Sequence, residues 1–103
     1  MNYRIMFTRT AEGMLLKIPN GNIRETLIAK AEGLKRDPEK QGKALLYTLA
    51  GFRSIPAAGR YRIIYRVDRS QVIVMVVAVA SRKEGDPGDV YELTKKLLRR
   101  GLI

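Results

Sequence analysis

A chain of 103 residues can bury one core but not two, so its function is expected to sit on the surface of a single domain. Hydrophobic residues make up 46% of it, a globular composition that argues against disorder. Histidine and cysteine are both absent, which excludes disulfides, thiolate zinc sites, a cysteine nucleophile and imidazole acid–base chemistry; guanidinium, ammonium, carboxylate and phenol remain, with a net charge of +10.

The positive excess is local. Residues 1–39 carry seven Lys/Arg against five Asp/Glu, residues 40–83 carry nine against Asp68 alone, and residues 84–103 carry four of each. A field of one sign on part of a small domain draws in polyanions, so nucleic acid or an acidic protein is the expected partner, weighed against a merely solubilising surface. The apolar stretch Val72 to Ala80 is about half of what a membrane helix needs, and Arg4 and Arg9 interrupt any leader-like opening. A soluble cytoplasmic protein with no membrane partner is expected.

In chain order, Tyr3, Ile5 and Phe7 alternate with polar positions, the period of a half-buried strand ending near Thr8. Thr10 is positioned to cap a helix in which Ala11, Met14, Leu15 and Ile18 recur at helical spacing before Pro19. Asn20-Gly21 reads as a turn, and Asn22 with Glu25 as a capping box. The next helix then aligns Ile23, Leu27, Ala31 and Leu34 and ends by Asp37-Pro38. These two helices form a hairpin. A short apolar run follows at Ala44 to Leu49, then three strands: Phe52 to Ile55, Arg60 to Val67 and Val72 to Ala80. The last two are joined by Asp68 to Gln71 as antiparallel neighbours. Val72 to Ala80 contains no polar residue, which suits a central strand covered on both faces. Asp89 with Glu92 marks the start of a final helix whose Val90, Leu93 and Leu97 face the core.

Within Arg60 to Val67, Tyr61, Ile63, Tyr65 and Val67 share one face, and Arg60, Arg62, Ile64 and Arg66 the other. No acid within the strand pairs with these arginines. Arg53 lies on the strand before, and Arg82 just past the apolar strand, within reach of the same face. Clustered guanidiniums repel one another, a cost most readily borne where an anion binds. Tyr91 falls in the first turn of the last helix, off its apolar stripe, and so can project toward this charge. Tyr3, Tyr47, Tyr61 and Tyr65 read as packing residues.

Gly51-Phe52-Arg53-Ser54, Gly59-Arg60-Tyr61-Arg62-Ile63-Ile64-Tyr65-Arg66-Val67 and Ser81-Arg82-Lys83-Glu84 with Asp89-Val90-Tyr91 resemble the RelE branch of the RelE/ParE superfamily of bacterial toxins. Phe7-Thr8, Ala11, Lys17-Ile18-Pro19, Asp37-Pro38 and Gly42 extend the resemblance over nearly the whole chain. It implies an α+β fold: a small antiparallel β-sheet with an N-terminal helical hairpin packed on it and a short C-terminal helix. It further implies a type II toxin–antitoxin toxin that cleaves mRNA in the ribosomal A site without a metal or other cofactor. Such a toxin is monomeric alone and held inactive in higher-order complexes by a cognate, acidic antitoxin. Carried over by residue, Arg62 and Arg82 bind the scissile phosphate, Tyr91 stands near the cut, and Arg53 is a basic strand position that orients or assists. Arg60, Arg66 and Lys83 are the further RNA-binding cations. Where relatives carry a second lysine two positions beyond that basic residue, this chain has Ile55 followed by Pro56, which leaves the general base open; the loop between Arg82 and Tyr91 is also longer.

The implied chemistry uses the RNA's own 2′-hydroxyl as nucleophile and yields a 2′,3′-cyclic phosphate and a 5′-hydroxyl. Arginine suits the charge that grows on the phosphate, because its planar donors bind oxygens in pairs and stay protonated. Tyr91 is where a proton acceptor could be supplied, and Arg82 or Lys83 could assist the leaving oxygen. Two alternatives stand beside this: a ParE-like poison of DNA gyrase, and a basic binding domain with no catalysis.

Overall fold

The alternation of Ile5 and Phe7 forms a strand: in the computed structural model, which describes residues 2–103, β1 runs Arg4–Phe7. The chain turns directly from it into α1, Arg9–Leu16. Because no loop intervenes, the cap falls on Thr8, the last extended residue, whose hydroxyl accepts the Ala11 N–H at 3.1 Å. Thr10, expected to cap, lies within the first turn instead. The same displacement occurs at α2, Gly21–Glu32, where the Asn20 side chain accepts from the N–H groups of Asn22 and Ile23 at 2.9 and 3.2 Å. Asn20 is thus the cap, and Asn22 with Glu25 is not a capping box.

Past a one-turn 3-10 helix at Gly33–Lys35 come β2 (Lys43–Ala44), another such turn at Tyr47–Leu49, β3 (Arg53–Pro56), β4 (Tyr61–Asp68), β5 (Ile73–Ser81) and α3 (Val90–Arg99). The sheet order is β1-β5-β4-β3-β2. From β2 to β5 every pairing is antiparallel, as expected, but β1 pairs parallel to β5, with Ile5 opposite Val74. The sheet is therefore mixed. Parallel neighbours require a long crossover, and the helical hairpin with the three strands after it supplies one.

β5 serves two cores by means of a bulge. Ile64 lies opposite Ala78 and Tyr65 opposite Val76, which leaves Val77 unmatched. Val74, Val76 and Val79 accordingly reach one face and Val77 and Ala78 the other. On the first face Leu15, Leu27, Ala31 and Leu34 of the helical hairpin region pack against Ile63 and Tyr65. On the second, Val90 and Leu97 of α3 cover Ile64 with Leu49 and Phe52. Each fully buried aliphatic side chain contributes roughly 1.5–3 kcal/mol, so the two faces are held separately, the second by a single helix. Among the described residues no helix is long and apolar enough to cross a membrane.

Candidate functional site

The face of β4 that carries Arg62 is the α3 face. Arg62 lies opposite Ala80, and the ladder continues one step, with the Arg82 N–H donating to the Arg60 carbonyl at 2.8 Å. Arg60, Arg62 and Arg82 thereby fall on one side of the sheet. With Lys83, Glu84 and Asp86 they line an open cleft of about 630 Å³. The Arg62 guanidinium donates to the carbonyls of Gly59 and Tyr61 at 3.2 and 3.0 Å, and among the described residues no carboxylate holds it. Arg66 stands four residues further along β4, exposed and outside this cleft.

Arg82 is engaged, unlike Arg62. Its guanidinium meets Asp89 at 2.5 Å and Glu84 at 3.4 Å, and it lies over the Tyr91 ring at 4.8 Å from the centroid. The acids that neutralise it come from the loop after β5 and not from the strand. Asp89 is 1% exposed and also accepts the N–H groups of Lys83 and Tyr91, at 2.6 and 3.0 Å. Burial alone would push its carboxyl up; the bonds from Arg82 and the two backbone groups outweigh that and hold it below the ordinary carboxylate value. The bond to Asp89 in turn raises Arg82. One carboxylate therefore ties Arg82, on the wall of the basic cleft, to the first turn of the helix that carries the phenol. The capping signature foretold its place at the helix start, but its hold on Arg82 is visible only in three dimensions.

Tyr91 lies beside Arg82 as expected, half-buried, with its hydroxyl 2.9 Å from the hydroxyl of Ser54 on β3. Ser54 pairs with Ile64, and its neighbour Pro56 pairs with Arg62, so the phenol sits one step along the sheet from Arg62, on the same face. Strand alternation then places Arg53 and Ile55 on the opposite face. Arg53 donates to the Gln41 carbonyl at 2.9 Å, next to the buried Tyr65 hydroxyl, which burial pushes above the usual phenol value. Arg53 is thus not brought to Arg62, Arg82 and Tyr91. The register of a four-residue strand decides this, and a one-residue change inverts every side chain. On the site face β3 offers Ser54 and Pro56, with no cation. Gly42, at φ +62°, is required behind it, because a Cβ there would collide with the Ser54 carbonyl.

Tyr47, read from the sequence as a packing residue, is 92% exposed. It lines a second cleft, of about 300 Å³, together with Leu46, Leu49, Arg82 and Tyr91. Arg82 stands on the ridge between the two clefts.

Residues 5–85 match the family model described as the ParE toxin of type II toxin–antitoxin system, parDE. The chain is 33% identical over 84 residues to Toxin RelG of Mycobacterium tuberculosis, covering 82% of this chain and 95% of that protein. Among solved structures it is similar to a chain of the toxin–antitoxin complex RelBE2 of M. tuberculosis, with a TM-score of 0.72 and 35% identity over 80% of this chain and all of that one. A mutant of the E. coli toxin RelE in the free state shares the fold at a TM-score of 0.70 and 22% identity, over 96% of this chain and 98% of that one. With most of its length matched by the family model and by these relatives, the chain belongs to the RelE/ParE superfamily, as a toxin of a type II toxin–antitoxin system.

Proposed function

We propose that this toxin is a metal-independent endoribonuclease that cleaves mRNA in the ribosomal A site and so stops translation. The observation that carries the reading is the stack of Arg82 on Tyr91 at the edge of a cleft whose other wall is Arg62, a cation that donates to the carbonyls of Gly59 and Tyr61 and, among the described residues, to no carboxylate. A scissile phosphate between Arg62 and Arg82 would receive paired N–H donors from both sides, the arrangement that stabilises a phosphorane-like charge. In the step itself the 2′-oxygen forms a bond to phosphorus while the bond from phosphorus to the 5′-oxygen breaks. The 2′-hydroxyl gives up its proton and the 5′-oxygen gains one.

The Tyr91 hydroxyl, paired with Ser54, belongs to a two-hydroxyl chain able to accept one proton and pass on another. Lys83 and Arg60, at the cleft wall, are placed to hold flanking phosphates and to assist the leaving oxygen. Arg53, on the other face, has no part in this step. With Arg82 paired to Asp89 and Glu84 and the phenol turned to Ser54, the isolated protein is only partly arranged for reaction. Its activity should depend on the ribosome to align the RNA.

A cognate antitoxin is the expected partner, since RelBE2 and E. coli RelBE are toxin–antitoxin complexes and this toxin resembles both. Carboxylates set over Arg60, Arg62 and Lys83 would silence it.

The second reading, a ParE-like poison of DNA gyrase, is favoured by the name of the matching family model, whose match ends at residue 85, before α3. Arg82 falls within that match and Tyr91 beyond it, and the stack of the two weighs for RNA chemistry. Purified toxin assayed on programmed ribosomes and, in parallel, for stabilised gyrase–DNA cleavage complexes separates the two. Defined new 5′-hydroxyl ends in the A-site codon are expected; gyrase complexes without RNA cleavage would reverse the assignment.

A further inference from the structure

Tyr47 is held in solvent against its own backbone preference. Its φ of +55° lies in the left-handed region that an aromatic residue rarely adopts. Its ring buries nothing, and Leu46 beside it is 68% exposed. The turn is enforced from below, by the buried Leu49 and by bonds from the Leu49 N–H to the Leu46 carbonyl (3.2 Å) and from the Ala50 N–H to the Tyr47 carbonyl (3.0 Å). Strain together with an exposed aromatic in a turn beside a candidate site marks a surface made for a ligand.

The cleft that Tyr47 shares with Tyr91 and Arg82 also has Lys43 and Lys95 on its walls; its exposed acid, Glu92, is held by Lys95 at 3.2 Å. Aromatic planes between cations are the surface that single-stranded nucleic acid uses, bases on the rings and phosphates on the ammonium groups. The cleft opens onto Arg82, the same side chain that walls the larger basic cleft. A strand whose cleaved phosphate lay at Arg62 and Arg82 would therefore continue past Tyr91 toward Tyr47.

We infer that this second cleft binds single-stranded RNA adjoining the cut, with a nucleobase stacked on Tyr47 and backbone phosphates on Lys43 and Lys95. Tyr47 is a positioning residue that selects and aligns the strand. The inference rests on the ribonuclease reading above.

The test measures single-turnover cleavage of mRNA on programmed ribosomes by wild type, Tyr47→Ala, Tyr47→Phe and Tyr47→Gly. Each is run on mRNA with all bases present and with abasic residues placed in turn beside the cut. Tyr47→Ala is expected to slow cleavage roughly 10-fold, with Phe restoring most of the rate. At one abasic position wild type should slow to the Tyr47→Ala rate, while Tyr47→Ala should lose nothing more. Tyr47→Gly, freed of backbone strain, should keep a Tm no lower than wild type and still cleave slowly, which a purely structural role would not produce. Cleavage by the wild type with an equal rate for Tyr47→Ala on every template would overturn the inference alone. So would a Tyr47→Ala toxin that cleaves normally but escapes its antitoxin, since the face would then serve a protein. No cleavage by the wild type would overturn the ribonuclease reading and this inference with it.

Discussion

Asp89 joins stability to the candidate site through one carboxylate that caps α3 and clamps Arg82. Its value in the folded protein lies below the unfolded one, so its contribution is complete above the ordinary carboxylate value near pH ~4 and is lost as pH falls through the lowered folded value. Asp89→Asn keeps a capping oxygen but loses the charge. Urea unfolding should find it about 1–2 kcal/mol less stable at neutral pH, converging on wild type in acid; parallel curves at all pH values would refute the pairing. The same bond complicates Arg82→Ala, which abandons a buried charge. That variant should lose about 2 kcal/mol, the figure being reduced because Arg82 is partly exposed, and Arg82→Ala with Asp89→Asn should recover much of it. RNA cleavage should stay absent in both, which separates chemistry from folding. A double variant no more stable than Arg82→Ala would show that the two residues are not coupled.

At the scale of elements, β3 decides which side chains meet. Its four residues place Ser54 on the site face and Arg53 behind it, and Gly42 packs against its backbone. Gly42→Ala forces both a left-handed alanine and a collision with the Ser54 carbonyl. It should cost about 2–4 kcal/mol in denaturant unfolding and weaken the Tyr91–Ser54 contact; unchanged stability would show that β2 can move freely. The periodic elements were legible in the sequence because burial imposes their period: Ile23, Leu27, Ala31 and Leu34 reach one core, Leu34 from the 3-10 turn after α2 and not from the helix; the apolar run Ile73 to Ala80 fills β5 up to Ser81, and the alternation in β4 holds. That Arg62, Arg82 and Tyr91 lie near one another was legible on the same logic: Arg62 by alternation within its strand, Arg82 just past the end of the apolar strand, and Tyr91 in the first turn of the last helix, off its apolar stripe. Caps at Thr8 and Asn20 were misplaced because several oxygen-bearing side chains adjoin each helix start and only backbone geometry chooses among them. The parallel pairing of β1, the face of Arg53, the clamp at Asp89 and the exposure of Tyr47 depend on register and tertiary neighbours, which local periodicity does not carry.

At the scale of the whole molecule, Arg60, Arg62, Arg82 and Lys83 gather around one cleft, and the acids that share it, Glu84 and Asp86, sit with Asp89 in the single segment that leads to α3, which leaves the cleft with an excess of positive charge. Such a field speeds encounter with a polyanion and makes binding sensitive to salt. If these four cations meet phosphates, the logarithm of ribosome affinity should fall against that of salt with a slope of about −3, made shallower by roughly 0.7 for Lys83→Ala, as titration of labelled toxin would show. A flat response would mean that the basic cleft does not touch RNA. The most direct measurement is the mapping of mRNA 5′ ends on translating ribosomes treated with wild type and with the stable double variant of Arg82→Ala and Asp89→Asn. The account requires new 5′-hydroxyl ends within A-site codons for the wild type and none for the variant; equal cutting by both, or no new ends from either, would contradict it.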